Sequence, residues 1–189
     1  GGAQEAEDTL AVTKPEAFRD TVATYRRVFK EEGIEDGMND VVAVVTQPGV
    51  EFGDDQVFLY DHDAATELCA ALNEFPEVCF EGHSTDYQSK ECLKRMVEDG
   101  IAILKVGPAL TYGLRESLFS LSMMEKELVP EEKQAHFIET LEKVMLEKPD
   151  NWKKHYHGDE KQLALCRKYS FSNRCRYYIG RDRKSTRLN

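Results

Sequence analysis

The chain has 189 residues, enough to bury one sizeable core, and its apolar and aromatic content (41% and 10%) is ordinary for a globular protein. A formal net charge of −10 argues against nucleic-acid binding, which calls for a basic face. No apolar run approaches the roughly 18 residues of a membrane-spanning helix. Cys69, Cys79, Cys92, Cys166 and Cys175 form no CxxC pair. They stand among apolar positions and read as reduced thiols in a cytosolic protein rather than as a zinc ribbon. With no initiator methionine, Gly1-Gly2-Ala3-Gln4 reads as the interior of something longer.

Residues 1–12 are polar and read as loop. Thr13-Lys14-Pro15-Glu16 has the spacing of a capping box, with proline in the first turn, where its missing N–H costs nothing. Phe18, Val22, Tyr25 and Phe29 then recur at helical spacing, and Gly33 ends the helix. Val41–Thr46 is an apolar, β-branched run and predicts a strand buried on both faces. Pro48-Gly49 predicts a type II turn. Residues 53–60 carry no clear period. Asp61–Glu74 predicts a helix with Leu68, Ala71, Leu72 and Phe75 on one face.

Glu77–Phe80 reads as a short strand running into the polar corner Glu81-Gly82-His83-Ser84-Thr85-Asp86. Ser89–Asp99 predicts a helix, stopped by Gly100, and Ile101–Leu104 a second strand buried on both faces. Gly107 and Pro108 break that strand. Thr111–Leu128 predicts a helix with Leu114, Leu118, Leu121 and Leu128 in register as its packing stripe. Pro130 opens another, striped by Phe137, Leu141, Val144 and Met145. Beyond Pro149 aromatic residues alternate with charges and read as one or two short helices and turns.

Through Leu128 the order is α-β-α-β-α-β-α, which implies parallel strands joined by right-handed crossovers. A complete (β/α)8 barrel takes about 250 residues. The reading is therefore α/β, either a compact open sheet or, favoured by the mid-protein start, a C-terminal partial TIM-like barrel. Residues 1–148 would form the barrel part, 149–180 a helical, aromatic extension of the same domain, and 181–189 a disordered tail. A partial barrel leaves sheet edges and apolar faces open, which predicts poor solubility or association.

Three strand ends offer polar groups: Gln47 and Glu51; Glu81, His83, Ser84, Thr85 and Asp86; Lys105 and Thr111. Parallel neighbours would bring these corners to one rim, the face where barrels place their sites. Lys105, Gly107 and Thr111, with a helix N-terminus, suit a phosphate; the plainer alternative is a strand-end lysine and a turn glycine. His83, with Glu81 and Asp86, offers metal ligands or a proton carrier. The plainer alternative has His83 and Asp86 bonding the turn, with Ser84 or Asp86 capping the next helix. Glu81 reads equally as a general base or as a salt-bridge partner of Lys105. Tyr169–Tyr178 reads as a partner surface or as a lid on its own core. No GxxxxGK[ST], GxGxxG or kinase signature is present.

At these corners VTQPGVEF (45–52), FEGHSTDYQ (80–88), AILKVGPALTYGLRESLF (102–119) and YSFSNRCRYY (169–178) resemble the non-catalytic, Z-type subunit family of class II D-tagatose-1,6-bisphosphate aldolase. The resemblance runs from about Thr13 to Tyr178, while Lys184–Asn189 finds no counterpart. It implies a TIM-barrel-like fold, a role in galactitol or N-acetylgalactosamine breakdown, and a catalytic aldolase subunit as partner, stabilised and made fully active by this one. Zinc in the assembled aldolase would be held by that partner. A more distant similarity joins EGHS (81–84) and KVGPALT (105–111) to the HGxSG corner and following strand of the catalytic class II aldolases. Glu81 then stands where those enzymes place a zinc-binding histidine. Metal candidates on this chain are His83 and Glu81. Sugar-phosphate candidates are Lys105, Gly107, Thr111 and Ser84. In an alternative reading as a metal-dependent lyase, Asp86 or Glu51 would handle protons. A third reading is a sugar-phosphate-binding protein without turnover.

Overall fold

A computed structural model describes residues 10–180, which fall into two compact units: residues 10–52 with 56–106, and residues 53–55 with 107–180. The sequence-based expectation of a disordered 181–189 tail lies outside the described residues.

In the first unit, α1 spans Pro15–Glu31 with proline at its first position. The expected capping box does not form. Lys14 is the N-cap residue, and no side chain caps the helix. Thr13 is drawn away: its N–H donates to the Gln47 carbonyl and its Oγ1 accepts from the Gln47 N–H, both at 2.8 Å. Gly33 follows the helix at φ 70°, as a C-terminal stop requires. The stripe is buried only in its first half, at Phe18 and Val22, while Tyr25 is exposed.

Strand β1 (Ala43–Thr46) is followed by a short antiparallel pair, β2 (Glu51–Phe52) and β3 (Val57–Phe58), the latter in the 53–60 stretch whose sequence showed no period. Between β1 and β2, Gly49 sits at φ 90°, the geometry a type II turn asks of that position. The Gln47 side-chain oxygen accepts from the N–H groups of Gly49 and Val50 and closes the turn. Helix α2 (His62–Ala71) is capped by Asp61, whose carboxylate accepts from the Asp63 N–H; β4 is Cys79–Gly82; α3 (Lys90–Glu98) is capped by Ser89; β5 is Ile101–Leu104.

The sheet order is β1-β4-β5, all parallel, with Thr46 level with Gly82 and Gly82 level with Leu104. Between Phe80 and Glu81 the β5 register slips by one residue, Ala102. One core lies under one face of this sheet: Phe18 and Val22 of α1, Val44, Leu68 of α2, Phe80, Met96 of α3 and Ile101. Phe18 meets Phe75 and Phe80 edge-on, at ring separations of 5.1 and 4.9 Å. The opposite face is bare. Val45 is 55% exposed, and Ile103 is exposed with it. The expectation of strands buried on both faces is therefore corrected: among the described residues the helices of this unit cover one side only.

The second unit is helical: α4 (Pro108–Leu128), α5 (Phe137–Glu147), α6 (Glu160–Tyr169) and α7 (Arg176–Ile179). Helix α4 starts three residues earlier than the sequence reading, at Pro108. Its buried face is Arg115, Phe119 and Ser122, whereas of the expected stripe Leu114, Leu121 and Leu128 are exposed and Leu118 is half-buried. The packing stripe was assigned to the wrong side because a buried arginine does not look like core. Phe119, Leu141, Met145, Trp152, Tyr156, Cys175 and Tyr178 form the apolar cluster. Arg115 is wholly buried. It donates to the Ser170 carbonyl and Asn173 Oδ1 at 3.0 Å and to the Tyr169 carbonyl, and it stacks 4.3 Å over the Tyr112 ring. Arg167, also buried, bonds Glu142 and Glu160 and lies over Trp152. The 169–178 stretch packs on its own unit's core through Ser170, Asn173, Cys175 and Tyr178. All five cysteines are free thiols.

Candidate functional site at the strand ends

Parallel strands of equal register end together, so the residues following Thr46, Gly82 and Leu104 emerge at one rim of the first unit. Gln47, His83 and Lys105 stand next to one another there, as the alternating pattern implied. Gly82 is closely surrounded. A Cβ on it would lie 3.0 Å from Ile101 Cγ2 and 3.4 Å from Met96 and Thr85 carbons. Behind it the chain turns through two residues in left-handed backbone, Ser84 (φ 56°) and Tyr87 (φ 63°). Such conformations cost about 1–3 kcal/mol each for residues other than glycine and persist where the surroundings hold them. Here Thr85 is the anchor: its Oγ1 donates to the Lys105 carbonyl at 2.9 Å, while the Lys105 N–H donates to the Gly82 carbonyl. Tyr87 packs edge-on against Phe52 at 5.4 Å.

The chemistry-bearing pair of this rim is Glu81 and His83. Glu81 Oε1 lies 2.6 Å from His83 Nε2, and both side chains are part-exposed. The salt-bridge alternative paired Glu81 with Lys105; the structure pairs it with His83 instead. Lys105 is exposed. Asp86 is buried and engaged. Glu51 is buried, with Oε1 accepting from the neighbouring Phe52 N–H at 3.0 Å, so it serves its own turn. Neither Ser84 nor Asp86 caps α3, because Ser89 Oγ takes that place by accepting from Cys92 N–H. Thr46 Oγ1 is buried at the end of β1 without a protein partner.

Gly107 and Thr111 belong to the second unit. Gly107 precedes α4, and a Cβ there would meet nothing within 4 Å, so crowding does not demand glycine. Thr111 Oγ1 donates to the Pro108 carbonyl and accepts from Asn173 Nδ2 at 2.9 Å, ties internal to that unit.

Zinc with catalytic duties takes three protein ligands and an open position. Glu81 and His83 supply two donors that bond each other. No group of three His, Cys, Asp or Glu side chains among the described residues could hold an ion. The residues present do not fit a zinc centre, and no chemical step is derived through one.

Sequence reasoning missed a second polar cluster. Asp99 Oδ2, at the end of α3, accepts from Tyr60 Oη at 2.8 Å and lies 2.7 Å from His62 Nδ1, and Arg95 reaches His62 Nε2. Burial first, and then the bond to Asp99, push the Tyr60 hydroxyl far above its ordinary pKa; burial also raises the Cys69 thiol beside it. Gln88 was missed as well. It clamps the same loop by accepting from Tyr60 N–H and donating to the Phe58 carbonyl. Arg95 and Asp99 are four residues apart at the end of α3, but no spacing in the sequence links them to positions 60, 62 and 88; that meeting is a product of the fold.

The fold and rim define an α/β protein with a parallel sheet and a polar strand-end corner built on Glu81, His83 and the strained 84–87 turn. The chain belongs to the family described as "D-tagatose-1,6-bisphosphate aldolase subunit GatZ/KbaZ-like", which matches residues 1–188. That match extends through Lys184–Leu188, a stretch for which the sequence reading found no counterpart. A curated relative from Agrobacterium fabrum (strain C58), named D-tagatose 6-phosphate 4-epimerase, is 47% identical over 178 residues, which is 94% of this chain and 42% of the relative. A crystal structure of a probable tagatose 6 phosphate kinase from Sinorhizobium meliloti 1021 superposes with a TM-score of 0.89 at 43% identity. It covers 93% of this chain and 45% of the neighbour. The chain thus spans less than half the length of either protein.

Proposed function

We propose that this chain serves D-tagatose phosphate metabolism as an accessory, aldolase-associated subunit, with its β1-β4-β5 rim as the part that meets a sugar phosphate. Support comes from family membership and from the Glu81–His83 pair: by the resemblance Glu81 stands where catalytic class II aldolases place a zinc-binding histidine, and here it is bonded to His83. The partner in this reading is a catalytic class II tagatose-bisphosphate aldolase, which holds the zinc and which this subunit stabilises, in galactitol or N-acetylgalactosamine breakdown. The fold in this reading is a (β/α)8 barrel. The helix-covered side of the sheet would face outward and the bare side, with Val45 and Ile103, would line the interior.

A second reading is favoured by one further observation. The relative that shares 47% identity is named an epimerase, and an imidazole held 2.6 Å from a carboxylate is a proton donor or acceptor of the kind sugar-phosphate chemistry uses. In that reading the chain contributes Glu81 and His83 to turnover of D-tagatose 6-phosphate.

The experiment that separates them gives the purified protein D-tagatose 6-phosphate alone, and gives D-tagatose 1,6-bisphosphate to a catalytic aldolase subunit with and without it. The accessory reading expects no turnover alone and a higher rate or longer half-life of the aldolase. Epimerisation by the protein alone, lost in His83→Gln and in Glu81→Gln, would replace it with the second.

A further inference from the structure

His83 follows the last residue of β4 and opens a corner whose backbone is strained twice. Ser84 and Tyr87, at φ 56° and 63°, both sit in the left-handed region without being glycine. Such a segment keeps its shape only where its neighbours over-determine it. Those neighbours lie on two sides. On the β5 side, Thr85 Oγ1 donates to the Lys105 carbonyl at 2.9 Å. On the hairpin side, Tyr87 packs edge-on against Phe52. Gln88 Nε2 donates to the Phe58 carbonyl, and Gln88 Oε1 accepts from the Tyr60 N–H, both at 2.9 Å. Bonding the C=O of one residue and the N–H two residues on is what a parallel strand does along its neighbour. The Gln88 amide thus stands in for a strand residue beside Leu59. Gln88 is only 9% exposed, so water does not readily replace those two bonds.

We propose that Gln88 is a positioning residue for the Glu81–His83 pair. Its amide pins the far end of the strained corner to the 58–60 backbone, so the corner cannot relax to ordinary φ values. The near end, where His83 stands, is fixed with it. That keeps His83 Nε2 at 2.6 Å from Glu81 Oε1. An ionised carboxylate only accepts, so the geometry puts a hydrogen on Nε2, aimed at Glu81. Gln88 acts through the corner, not by contact with a reacting group. For its use this placement rests on the reading of the rim as the part that meets a sugar phosphate. The positioning itself depends only on the bonds named.

The test follows the His83 Nε2–H proton by NMR in protein carrying isotope-labelled histidine, with the line assigned by its loss in His83→Gln. A bond to a carboxylate slows exchange of that proton with water, so the parent should show it as a protected downfield line. Gln88→Met keeps the side-chain length and removes both amide bonds. The His83 Nε2–H should then exchange about tenfold faster or more, with far-ultraviolet circular dichroism unchanged. Gln88→Glu keeps the acceptor for the Tyr60 N–H and loses only the donor to Phe58, and should fall between the two. Tyr60→Phe removes the bond to Asp99 but keeps the N–H that Gln88 uses. It should lower stability and leave the His83 line as it is. A parent without a protected line overturns the proposal. So does a Gln88→Met protein whose line is unchanged, or a loss of equal size in Tyr60→Phe, which would mark a general loosening. Addition of D-tagatose 6-phosphate to the parent judges the rim separately. His83 lines that never move would end the sugar-phosphate reading, while the comparison of Gln88→Met with the parent decides the role of Gln88 in either case.

Discussion

The two units reach stability by different routes. The first is held by an apolar layer between one sheet face and its helices, with Phe18, Phe80, Met96 and Ile101 at its centre. Its ion pairs, such as Arg19–Glu74 and Arg26–Glu77, lie outside that layer and are largely exposed. Pairs of that kind contribute about 0–1 kcal/mol. The second unit buries its cations. Arg115 and Arg167 sit within the aromatic cluster, each stacked on a ring and bonded to oxygens brought from distant parts of the chain. The Arg167 site is incompletely satisfied, because Arg167 Nη1 and Glu142 Oε2 are buried without partners. The first core is expected to respond to lost volume and the second to lost partners, because removing a partner from a buried charge is costly.

The largest effects are expected at those two centres. Arg115→Ala should cost about 2–5 kcal/mol, read by Trp152 fluorescence in urea, because it opens a cavity under Tyr112 and removes the donors to the Ser170 carbonyl and Asn173 Oδ1, leaving them only the Asn173 N–H and the Cys175 thiol. Arg115→Met keeps much of the volume and should recover less than half of that; a Met variant as stable as the parent would break the contrast between the units. Phe80→Ala should cost about 3–5 kcal/mol by circular dichroism, and here Phe80→Leu should recover most of the loss, since shape and apolar area are what the site needs.

Tyr60→Phe tests the polar cluster on the first unit. Loss of the bond to Asp99 should cost about 1.5–3 kcal/mol, the range for hydrogen bonds to charged groups. A neutral result would mean that His62 and Arg95 satisfy Asp99 without it.

The smallest effect is at Asp54 in the second unit. Burial raises its carboxyl above the ordinary range, partly offset by the bond from Ser172 Oγ. The folded state therefore holds the proton more tightly than the unfolded chain. The stability contributed by this group is full below the ordinary carboxylate pKa and falls as pH rises through the higher folded value. Asp54→Asn should flatten that part of the stability profile, measured by urea midpoints from pH 3 to 7 in steps of about one unit. An unchanged slope would place the titration elsewhere.

Much of the first unit was legible in the sequence. Alternation of helix and strand signals gave the parallel order, and with it the meeting of Gln47, His83 and Lys105 at one rim. The two-sided burial of the strands was not, because a run such as Val41–Val45 reads the same whether one face or both are covered. In the site, the pairing of Glu81 with His83 rather than with Lys105 could not be chosen from spacing. One partner lies two residues along the chain and the other on the next strand. Thr13 carried a local cap signal that its tertiary bonds to Gln47 overrode, and the bond from Asn173 to Thr111 had no signal in the sequence.

What the sequence determined by itself was the set of elements and their direction, because those depend on local periodicity and on glycine and proline at the stops. Only the tertiary structure decided which side of α4 is core. Helical spacing marks an apolar stripe without saying what lies against it, and a guanidinium ringed by carbonyls, an amide and an aromatic face belongs in an interior that no pattern of hydrophobic residues describes.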